Sequence, residues 1–160
     1  MNGGILPLVL LCAASGLAFA FAARRAAWIS LCALGAAALL TSLVSVPDNA
    51  RHAIFVGLWI STAATAALTY LRRGLTDNMA IAVGINNGVW AGAIASLAGM
   101  QRSLLIALPL ILCLIPGRWL ATRGYAIILK VVASWIIAVS VLAGMVSFAP
   151  TPGYAPDHME

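Results

Sequence analysis

The sequence predicts an all-α integral membrane protein, a compact bundle of six transmembrane helices, and three observations carry that expectation. Hydrophobic residues make up 63% of the 160-residue chain, whose mean hydropathy is +1.04. They gather in six long apolar runs joined by loops of a few residues. The chain holds only four acidic residues, Asp48, Asp77, Asp157 and Glu160, and none lies inside a long run. A chain of this size has room for one bundle, residues 1–149, and no sizeable soluble domain.

A crossing takes about 20 apolar residues for a hydrocarbon core of about 30 Å. The first run, Ile5–Ala23, has no basic residue before it and Arg24-Arg25 after it. That order reverses the pattern of a cleavable leader and reads instead as the orientation signal of a first span. Ala27–Val46 and His52–Leu71 follow as the second and third spans. The fourth, Asn78–Ala98, is opened by Thr76-Asp77, which suits the free N–H groups of a helix start.

The fifth run, Ser103–Pro116, rises only about 21 Å, short of a full crossing. Pro109 is expected to kink it and Pro116-Gly117 to stop it, the other readings being a locally thinned bilayer, an extension through Trp119 or a re-entrant segment. The alternative architecture is therefore five spans plus one short or re-entrant segment. Tyr125–Phe148 forms the sixth span. The tail 150–160, with Pro150, Pro152 and Pro156, is expected to be disordered outside the membrane. Short loops make consecutive helices antiparallel neighbours.

Charge orients the bundle. With six spans the odd-numbered loops hold Arg24, Arg25, Arg72, Arg73, Arg118 and Arg123, whereas the opposite side holds Arg51 and Arg102. Basic loops stay cytoplasmic, so both termini are expected outside, and the alanine-rich composition suits a bacterial inner membrane. The net charge of +5 is thus mostly topology, and no basic patch argues for nucleic acid. Trp28, Trp119 and Tyr125 sit where interfacial aromatics sit.

Chemistry-bearing patterns are sparse. Cys12, Cys32 and Cys113 are isolated and lack CxxC spacing, so they read as small packing residues. No HExxH, nucleotide-binding glycine loop, GxSxG, paired histidines or carboxylate dyad occurs. Neither an enzyme, a cofactor nor a metal site is expected.

Polar residues inside the spans are more informative. In the third span Gly57, Ser61, Thr65 and Thr69 recur every four residues on one face; in the fourth, Gly84, Gly88, Gly92 and Ser96 do the same. The second row is two overlapping GxxxG units, which permit close backbone approach, and the simplest pairing sets it against the row of the third span. Asn86 and Asn87 fall near the midpoint of the fourth span, where an unpaired carboxamide costs several kcal/mol. They point about 100° apart and need two partners or one polar cavity, with Trp90 a turn further on. Two readings follow: interhelical glue, or a solute site. Lys130 is the one charge set well inside a run; it either snorkels to the headgroups or faces the bundle.

Two functions compete. In the first, the chain is a transporter or channel component moving a small solute or ion along a polar path in the third, fourth and sixth spans. Asn86, Asn87, Ser61, Thr65, Trp90 and Lys130 would bind or line that path. Such a small chain would need a homo-oligomer or a membrane-protein partner to enclose it. In the second, it is a non-catalytic accessory or assembly subunit whose small-residue faces dock partner helices.

Overall fold

The computed structural model describes residues 5–44, 47–71, 74–97 and 114–146. Most of the expected fifth span, together with Arg72, Arg73, Arg102, Cys113 and the tail 150–160, lies outside them. Among the described residues the chain is all-helical, with six α-helices and no strand. They are α1 (Ile5–Ala20), α2 (Arg24–Ser42), α3 (Arg51–Ala67), α4 (Asp77–Leu97), α5 (Leu114–Thr122) and α6 (Ala126–Val146).

Four helices are long and apolar enough to cross a membrane: α2, α3 with its 3-10 extension to Tyr70, α4 and α6. The fifth candidate, α1, has 16 residues and spans about 24 Å. It is short but central. Leu8, Leu11, Phe19 and Ala18 are almost fully buried, and α1 contributes to both hydrophobic clusters. One cluster joins α1 to α2, α3 and α4 through Leu34, Leu58 and Ile94. The other joins it to α3 and α6 through Leu17, Ala66, Leu129 and Ile136. By contrast, α6 turns Ile127, Val131, Trp135, Leu142 and Met145 outward, an apolar exterior suited to lipid rather than water.

Local chemistry sets the helix ends. Thr76 Oγ1 accepts the Met79 N–H at 3.4 Å, and Asp77 stands in the first turn of α4. Gly74 occupies the left-handed region, φ 71°, beside the Phe21 carbonyl, where a side chain would collide. At the end of α5, Gly124 (φ 86°) reverses the chain while the Tyr125 N–H bonds back to Leu120 O at 3.0 Å.

Three expectations change. The closest helix pair is α2 with α4, which are not consecutive. A side chain at Gly84, Gly88 or Gly92 would strike the backbone carbonyl of Ser30, Leu34 or Ala38 respectively. Both series ascend, so α2 and α4 run parallel. The glycine row therefore meets α2, not α3. The reason is helical phase: Asn86, Asn87 and Trp90, on the far side of α4 from the glycine row, are what meets α3, and the row is left for α2, which offers Ala37, Ala38 and Thr41. Finally, Pro116-Gly117 does not stop a helix. Pro116 and Gly117 lie within the described helix Leu114–Thr122, which continues past them.

Candidate functional site

Five polar side chains from three helices, Ser15, Ser61, Thr65, Asn86 and Asn87, meet at the middle of α4. Asn87 is completely buried. Its Oδ1 accepts hydrogen bonds from Ser61 Oγ at 2.7 Å, from Asn86 Nδ2 at 3.1 Å and from Thr65 Oγ1 at 3.2 Å. Its Nδ2 donates to Ser15 Oγ and Thr65 Oγ1, both at 2.9 Å. Both oxygen lone pairs and both amide hydrogens are thus engaged by protein. Ser15, the contribution of α1, passes its own hydrogen to Leu11 O at 2.7 Å.

Asn86 forms the outer edge of the same network. Its Nδ2 donates to Ser61 Oγ at 2.5 Å, and its Oδ1 accepts from Trp90 Nε1 at 3.2 Å. Unlike its neighbour it is exposed on the flank of the bundle. The 100° turn between consecutive helical residues produces that difference: Asn87 points to α1 and α3, and Asn86 points along the seam between α3 and α4. A cleft of about 280 Å³ opens on that seam, lined by Ser61, Thr65 and Asn86 beside Leu68, Ala82 and Val83.

Of the residues singled out in the sequence, Ser61, Thr65, Asn86, Asn87 and Trp90 are brought together. Lys130 is not. It is half-buried in the second turn of α6, and its backbone carbonyl accepts the Tyr70 hydroxyl at 2.7 Å. Trp90 seats its ring on Gly57. Thr69 lies on the same face as Ser61 and Thr65 but bonds back to Ala66 O at 2.7 Å.

Sequence reasoning missed Ser15. The available signal was a hydroxyl at mid-depth in an otherwise apolar helix. Nothing in the sequence pairs it with a carboxamide 72 residues away.

No group of three or more His, Cys, Asp or Glu side chains that could hold a metal occurs among the described residues. The side chains that meet at the site are carboxamides, hydroxyls and the Trp90 indole, joined by neutral hydrogen bonds. No family model matches the chain, and no curated protein or solved structure is significantly similar to it.

Proposed function

We propose that this chain is a non-enzymatic subunit of a membrane translocation component, moving a small solute or ion along the α3–α4 seam. The observation that carries this reading is Asn86, a carboxamide left exposed at mid-helix at the edge of a mostly apolar cleft instead of being buried with Asn87. Among the described residues its Nδ2 is held by Ser61 and Asn87 and its Oδ1 by Trp90, which leaves one Oδ1 lone pair to meet a solute. A cleft that opens sideways needs a second wall, supplied by another copy of the chain or by a different membrane protein. Asn86, Ser61 and Thr65 then face the solute, Asn87 holds them in place, and Lys130 biases charge near one mouth. The proposed setting is a bacterial inner membrane with both termini outside.

A specific observation favours a second reading. Every hydrogen-bonding group of Asn87 is already satisfied within the chain, as expected of interhelical glue in an accessory or assembly subunit. Asn86→Leu separates the two. Under the translocation reading, proteoliposomes containing wild type pass urea, glycerol or potassium faster than empty vesicles, and Asn86→Leu abolishes that flux with oligomeric state unchanged. If wild type passes none of these probes and Asn86→Leu instead releases a stoichiometric membrane partner, the accessory reading holds.

A further inference from the structure

A second site lies at the basic end of the bundle, remote from Asn87. A cleft of about 440 Å³ separates the first turns of α2 from one face of α5. Arg24 and Trp28 stand on the α2 wall; Ile115, Arg118 and Trp119 stand on the α5 wall. Arg118 is half-buried and already aimed, its Nη1 donating to Ala22 O at 3.0 Å, which leaves further guanidinium N–H groups free to bond. Arg24 is exposed, and neither arginine forms an ion pair with any described residue.

The surroundings add positive potential. Among the described residues no acidic side chain lines the cleft. Helix α2 begins at Arg24 after Ala23, which supplies no side-chain cap, so the positive end of the helix coincides with this wall. Arg123 lies 4.4 Å from the centre of the Trp119 ring and brings a third cation to the rim. Trp28 and Trp119 remain 45% and 53% exposed, as aromatics at a headgroup boundary do. Thr122 is not an obvious ligand, because its hydroxyl donates back to the α5 carbonyls of Arg118 and Trp119.

We infer that this cleft seats the phosphodiester of an anionic membrane lipid. Arg24 and Arg118 take the phosphate by charge-assisted hydrogen bonds, and the tryptophans flank the glycerol. The volume falls in the range of small-molecule sites, about 300–1,000 Å³. Free phosphate uses the arginines equally well but leaves the indoles, Ala27 and Ile115 without a counterpart. The lipid is therefore the assigned source. This inference requires the chain to lie in a membrane and does not depend on solute movement.

The test is native mass spectrometry of the full chain released from nanodiscs of mixed phosphatidylglycerol and phosphatidylcholine. Wild type is expected to retain one phosphatidylglycerol selectively. Arg24→Gln with Arg118→Gln should weaken that retention by about tenfold or more, from the loss of two charge-assisted bonds. Arg118 also holds Ala22 in the turn between α1 and α2, so Arg24→Gln alone, at an exposed position, is the variant that must show the loss with the fold unchanged. Arg25→Gln, outside the cleft, should retain the lipid. Equal retention by wild type and Arg24→Gln overturns the site. Displacement of the lipid by millimolar inorganic phosphate overturns the assignment to lipid.

Discussion

Replacing Asn87 with alanine removes the acceptor of Ser61 and the donor to Ser15 and Thr65 in one step. Hydrogen bonds between helices in membranes average about 0.6 kcal/mol each, so a side chain with four partners is worth about 2 kcal/mol. Asn87→Ala is therefore expected to lower stability in detergent by about 2 kcal/mol, and Ser15→Ala by about 0.6 kcal/mol, read from denaturant titration followed by circular dichroism. Equal losses would show that Asn87 is not the hub. The two asparagines were conspicuous in the sequence because carboxamides are rare at that depth. Their different fates were not, because only the positions of α1 and α3 decide which one is enclosed. Lys130 illustrates the opposite limit. Its charge stood out in the sequence, yet the structure leaves it away from the polar cluster, and its backbone rather than its ammonium group links α6 to Tyr70.

Helix packing depends on rows rather than single side chains. The glycine row of α4 was legible as a close-contact surface because Gly84, Gly88 and Gly92 share one face. Its partner was not, because α2 and α3 are both rich in small residues and spacing alone cannot choose between them. What decides is that the opposite side of α4, with Asn86, Asn87 and Trp90, is the one turned to α3. A methyl group at Gly88 would meet Leu34 O and lie 2.7 Å from the Ala37 Cβ, so Gly88→Ala must push α2 away. A loss of about 1–3 kcal/mol is expected, as in other overpacked cores. Gly35 has open space where its Cβ would go, and Gly35→Ala should leave stability unchanged or raise it by at most about 1 kcal/mol, with a matching rise in thermal midpoint. Comparable losses at both positions would mean that the seam is not the constraint.

The described helices share one directional plan. Because α2 and α4 are parallel and Tyr70 at the end of α3 meets Lys130 near the start of α6, the chain alternates direction from helix to helix. Arg24 and Arg118 therefore lie at one end of the bundle and Arg51 at the other. This charge polarity could be read from loops, since it depends only on helix order. The Arg24–Arg118 cleft could not, since it joins α2 to a helix far along the chain. If the basic end is cytoplasmic, a membrane-impermeant maleimide applied to intact cells should label Asn49→Cys and spare Ala23→Cys in a background without native cysteines. The reverse pattern would invert the topology, and labelling of both would argue against a spanning bundle.

The network that joins α1 to α4 also constrains how the protein is made. Ser15 leaves the ribosome 72 residues before Asn87, a delay of about 4–14 s at ordinary elongation rates. Through that interval α2 has no glycine row to close upon, and the hydroxyls of α1 and α3 await their common carboxamide. Early helices must either wait beside the insertion machinery or pair provisionally. A ribosome pausing before α4 would lengthen the period in which quality-control proteases encounter an incomplete bundle.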